Sequence, residues 1–119
     1  MPNPFGVPEI TVNDVAAKGN AGETFFIMDV REHNEVARVS IKSDNVIVVP
    51  LSELGQKREE AIPAELKDKN AVIITMCHHG MRSAQAAAWM NSEGWTNVTN
   101  MNGGIHAYAL NVDPSIGTY

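Results

Sequence analysis

One stretch of this chain gathers side chains that could do chemistry: Cys77-His78-His79-Gly80-Met81-Arg82-Ser83. Cys77 is the sole cysteine among 119 residues, so it cannot form a disulfide within the chain. The stretch follows an apolar run at residues 71–76 and precedes an alanine-rich run at residues 83–93. It therefore reads as the turn from a buried strand into a helix. Three features there favour the thiolate, the nucleophilic form of cysteine. The positive end of a helix beginning near Ser83 faces the sulfur. Gly80 lets successive N–H groups turn inward as an anion nest. Arg82 adds a permanent positive charge five residues on.

The same features suit an anionic donor. A thiosulfate-like anion would offer its outer sulfur to the thiolate while its oxygens meet the loop N–H groups and Arg82. Attack would leave a persulfide on Cys77 and release sulfite. A second nucleophile would then take the outer sulfur, completing a two-step covalent cycle.

The elements that must position this loop can be read from hydrophobic patterning. Apolar runs at residues 24–30, 46–49 and 71–76 predict strands buried on both faces, residues 97–101 predict a fourth, and residues 9–12 predict a short first strand. Between them lie helical patterns. Asn13 or Asp14 could cap a first helix ending at Gly19, a short one spans residues 32–39, and a polar one spans residues 51–61. The alanine-rich helix at residues 83–93 stops at Gly94, and a last turn or two follows at residues 105–110. Alternating strand and helix predicts an α/β fold with a largely parallel central sheet of about five strands. Helices would cover both faces, giving three layers. Residues 1–8, with three prolines, read as a loosely held extended arm before a domain at residues 9–119.

Composition narrows the partners. Net charge is −5, which argues against nucleic acid and means an anionic substrate must find a local positive feature. No apolar stretch approaches the ~20 residues of a membrane span, and residues 1–8 lack the pattern of a signal peptide. With one unpaired cysteine, a reducing compartment is expected and the cytoplasm is the default. A monomer is the simplest assembly. No cofactor is implied.

The loop resembles the active-site loop of single-domain rhodaneses, Cys-x-x-Gly-x-Arg followed by Ser or Thr. Asp29-Val30-Arg31-Glu32 resembles the family's signature after its second strand. Gly94-Trp95-Thr96-Asn97-Val98 and Asn102-Gly103-Gly104-Ile105 resemble its later segments. The tail Val112-Asp113-Pro114-Ser115 is similar to rhodanese domains found alone or fused to sulfur-carrier adenylating enzymes. Together these cover roughly residues 9–119. The resemblance implies a thiosulfate sulfurtransferase with Cys77 as nucleophile and the loop from His78 to Ser83 holding the donor. It also implies that Asp29 and Arg31 tie together the loops around the site. The segment at residues 39–45 departs from the family pattern.

His78 and His79 invite a metal reading, but neighbours in a chain tend to point apart and no ligand pair has recognisable spacing, so they are expected to line the rim. Met81, if exposed, offers an apolar contact to a partner protein, and Trp89 and Trp95 are expected in the core. A Cdc25-type phosphatase or arsenate reductase is the main rival function. Those enzymes place five residues between cysteine and arginine, and here there are four. A non-catalytic binding module would not need Cys77. The lone cysteine leaves no internal resolving thiol, so a persulfide must pass to an outside thiol or protein, with a sulfur-carrier system as one candidate.

Overall fold

The structure, a computed structural model, describes residues 3–119. Five strands form one sheet in the order β1-β5-β4-β2-β3, with every described pairing parallel. They are β1 (Glu9–Ile10), β2 (Phe26–Asp29), β3 (Val46–Val48), β4 (Ile73–Met76) and β5 (Val98–Met101). Four α-helices lie between them, α1 (Val12–Asn20), α2 (His33–Arg38), α3 (Leu51–Lys57) and α4 (Met81–Ser92), and α5 (Gly104–Asn111) follows β5.

Both faces of the central strands are covered, which is why β2 and β4 read as mainly apolar runs. On one face Met28, Ile73 and Val98 pack with Leu54 of α3 and with Ala86, Ala87 and Met90 of α4. On the other, Ile27, Ile74 and Met101 pack with Val12 and Val15 of α1 and Ile105 of α5. Consecutive residues such as Ile73 and Ile74 serve opposite layers, as the two-residue strand period demands. Ala84, Ala86 and Ala87 are fully or almost fully buried, so short side chains bring α4 close to the sheet.

Several boundaries differ from the sequence reading for local reasons. The first helix is capped by Thr11, whose hydroxyl accepts from Asp14 N at 3.1 Å, rather than by Asn13 or Asp14. The helix at residues 51–61 ends at Lys57, because Arg58 takes a positive φ of 52° and a short 3-10 turn follows. α4 starts at Met81, two residues early, with Gly80 at φ 104° as its cap. The N-terminal arm is pinned along residues 3–8: Val7 is buried, the Asn3 side chain bridges to Val7, and Asn100 N donates to the Pro8 carbonyl at 2.9 Å. Trp95 is buried and donates Nε1–H to Leu66 O at 2.9 Å, whereas Trp89 is only half-buried.

The strand order decides where chemistry can occur. After β2 the chain steps outward to β3, and after β4 it steps the opposite way to β5. β2 and β4 are therefore neighbours whose connections leave in opposite directions. In open parallel sheets, ligands bind at such a switch point, beyond the carboxyl ends of the strands. Asp29 ends β2 and Met76 ends β4, so the crevice is bounded by residues 29–35 and by the Cys77 loop.

Candidate active site

Cys77 follows β4 directly and is 1 % exposed. Its Sγ accepts the Gly80 N–H at 3.1 Å, a contact that the left-handed backbone at Gly80 makes possible. Ser83 Oγ lies 3.3 Å from the sulfur and 2.5 Å from Asn100 Oδ1. The amide oxygen can only accept, so the single Ser83 proton is shared between the amide and the sulfur. The first N–H groups of α4 have no partners within the helix and open onto the same loop.

The loop is fixed from below. Asn100, fully buried in β5, donates from Nδ2 to Gly80 O at 2.9 Å and to Glu9 Oε2 at 2.7 Å, while its Oδ1 accepts from Ser83 and Thr75. It is fixed from the side by α5. Ile105 N donates to Cys77 O at 2.8 Å and His106 N to His78 O at 3.1 Å. That approach needs glycine at 104, where a Cβ would overlap the carbonyls of Cys77 and His78.

Across the crevice, Asp29 and Arg31 form a buried pair, with Nε to Oδ1 at 3.0 Å and Nη2 to Oδ2 at 2.8 Å. The second arm of Arg31 reaches Tyr119 Oη at 3.2 Å and the Glu35 carbonyl at 3.4 Å. Glu35 receives Arg82 in a fork, Nη1 to Oε2 and Nη2 to Oε1, both at 2.8 Å. Its oxygens also accept from Glu32 N at 3.0 Å and Tyr119 Oη at 3.1 Å. Hydrogen bonds from Arg82 dominate the set that holds the Glu35 carboxyl at about 2, against an ordinary value of 4.5.

Arg82, expected to favour the Cys77 thiolate and to meet an anionic donor, also gives two of its five N–H groups to Glu35. The reason is the strand order, which sets the first turn of α2 opposite the first turn of α4. Glu35, Asn100 and Tyr119 all escaped the sequence reading. Asn100 carried a signal, an amide inside an apolar strand. Glu35 lies three residues beyond the Asp-Val-Arg-Glu motif, and Tyr119 had no local signal. His78 and His79 do not diverge as expected. Their ring centroids are 3.9 Å apart, and His106 comes within 5.0 Å of His79. Met81 is exposed.

A family model described as "Rhodanese-like domain" matches residues 11–111. The chain belongs to the rhodanese-like domain family. Among curated relatives, it is 39 % identical over 93 residues to "Rhodanese-like/PpiC domain-containing protein 12, chloroplastic" of Arabidopsis thaliana, covering 78 % of this chain and 30 % of that protein. It is 30 % identical over 114 residues to "Adenylyltransferase and sulfurtransferase MOCS3-1" of Zea mays, covering 92 % of this chain and 23 % of that protein. The chain thus spans less than a third of either relative. Among solved structures, a rhodanese-like domain protein from Staphylococcus aureus superposes with a TM-score of 0.70 at 25 % identity, covering 85 % of this chain and 90 % of that one. The rhodanese-like architecture is therefore present nearly end to end, and sulfurtransferases are among its relatives.

Proposed function

We propose that this rhodanese-like domain is a sulfurtransferase that moves sulfane sulfur from thiosulfate or a protein persulfide, through a persulfide on Cys77, to a thiol acceptor. The observation that carries the reading is the seat of the sulfur: Cys77 Sγ accepts the Gly80 N–H at 3.1 Å at the head of α4. That helix end favours negative charge on the thiolate and, after loading, on the outer sulfur.

With thiosulfate, the Cys77 thiolate attacks the sulfane sulfur and a new S–S bond forms. The bond from sulfane sulfur to sulfonate sulfur breaks, and its electron pair leaves with sulfite. One thiolate and one dianion become one persulfide anion and one dianion, so no proton or redox partner is needed. Arg82 is 36 % exposed and still has three N–H groups beyond those bound to Glu35, enough to meet the donor's oxygens. A cleft of about 180 Å³ lies beside the loop, lined by His79, Gly80 and Met81 together with Glu9, Asn102 and Gly103; neither Cys77 nor Arg82 lines it. Clefts of 410 and 460 Å³ elsewhere contain no loop residue.

The lone cysteine means that unloading needs an outside nucleophile: cyanide in an assay, a small thiol or a protein in the cell. A relative named as a putative sulfur carrier protein supports a sulfur-carrier system as one such acceptor. A free thiol of this kind suits the reducing cytoplasm.

Intact-mass analysis after thiosulfate or persulfide treatment tests the reading. Wild type should gain one sulfur, lose it to cyanide, and Cys77→Ala should gain none. No adduct with any donor would overturn it.

A further inference from the structure

Three imidazoles meet at the rim of the cysteine loop. His78 and His79 are consecutive in the loop, and His106 lies on the first turns of α5. One ring nitrogen from each lies within 4.8 Å of the other two. Among the described residues, His78 Nε2 and His106 Nδ1 are the buried side-chain nitrogen or oxygen atoms without a hydrogen-bond partner. A buried nitrogen without a partner calls for an explanation, and a bound ion is one.

We propose that His78, His79 and His106 form a binding site for a divalent transition-metal ion of the zinc class. The donor set is all imidazole. That chemistry suits Zn²⁺, Ni²⁺ or Cu²⁺ and does not suit Ca²⁺ or Mg²⁺, which take oxygen ligands. Three protein ligands leave the fourth tetrahedral position open. With Zn–N bonds of about 2.0–2.1 Å, tetrahedral nitrogens sit roughly 3.3 Å apart. The present spread is at most 4.8 Å, so modest side-chain rotation closes the site. His79 is exposed and free to make that rotation.

The backbones that carry the other two rings are tied together. His106 N donates to His78 O at 3.1 Å, which locks α5 to the loop. The His78 ring stacks on Tyr119 with centroids 3.9 Å apart and planes 10° from parallel. The sequence hides this site because its ligands are neighbours at 78 and 79 joined by one from a different element. No ligand spacing within one helix or hairpin marks it.

The test uses the full chain without a polyhistidine tag, in a Cys77→Ser background so that no thiolate can ligate. Zn²⁺ is titrated by calorimetry, and Co²⁺ is followed by its visible d–d absorption. The expected result is one ion per chain with the absorption of four-coordinate Co²⁺ held by three nitrogens. His79→Ala and His106→Ala should each weaken Zn²⁺ binding by at least about tenfold, the range seen when even supporting groups of metal sites are lost. His79 is exposed, so its substitution leaves the core intact. His33→Ala, on the exposed start of α2, should leave the affinity unchanged. Absence of binding at submillimolar metal would overturn the proposal. So would binding that survives both His79→Ala and His106→Ala, or binding in wild type that disappears in Cys77→Ser alone.

Discussion

Glu35→Gln should destabilise the domain at neutral pH, and the loss should vanish in acid. Each Glu35 oxygen accepts two hydrogen bonds, from Arg82 and Tyr119 on one side and from Arg82 and Glu32 N on the other. A glutamine NH₂ in either position faces donors with a donor. The folded protein holds this carboxyl at about 2 instead of 4.5. A displacement of that size corresponds to ~3 kcal/mol at full strength. Arg82 is 36 % exposed. Solvent therefore screens the pair, and roughly 1–2 kcal/mol is the expected loss. For a urea m-value of about 2 kcal/mol/M, the unfolding midpoint at pH 7 should fall by roughly 0.5–1 M.

The sign with pH follows from linkage. Because the folded pKa is depressed, the contribution is fully present above 4.5 and is lost as pH falls toward about 2. Urea titrations of wild type and Glu35→Gln at several pH values between 7 and 2.5 should show the gap narrowing below 4.5 and almost closing at the acid end. Equal stability at pH 7, or a gap as wide at pH 2.5 as at pH 7, would refute the reasoning.

Two further outcomes probe how the cysteine loop is held. Gly104→Ala places a Cβ against the carbonyls of Cys77 and His78 at a φ of 64°, so it should cost more than ~2 kcal/mol in denaturant unfolding; wild-type stability would contradict the packing. Asn100→Ala leaves the Gly80 carbonyl, Ser83 and Glu9 without their shared partner, at a cost of about 2–4 kcal/mol. It should also speed alkylation of Cys77 by iodoacetamide, since the loop loses its floor, and an unchanged rate would show that Asn100 does not position it.

Much of this protein is written locally. Apolar runs marked three of the strands because both faces of the sheet are covered, and that burial pattern needs no distant information. The alanines after Ser83 marked a helix that must approach the sheet closely, and Gly80 marked the backbone that α4 and the cysteine both require. The spacing from Cys77 to Arg82 was legible for the same reason: the two residues share one turn. Boundaries shifted where a single cap decided them, as at Thr11 and Arg58.

What the tertiary structure decided is which groups meet across the crevice. Strand order put β2 beside β4, and that adjacency, which no local period encodes, brought Glu35 onto Arg82 and Arg31 under Tyr119. It made the arginine expected to face the sulfur and the donor half of an ion pair as well. The histidines follow the same logic. His78 and His79 looked divergent as chain neighbours, and only the docking of α5 on the loop supplied His106 as a third ring. Local sequence specifies what a segment can become, because its patterning acts within one turn or one strand. Pairings between segments depend on the topology that packs them, and at this crevice the topology chose the partners.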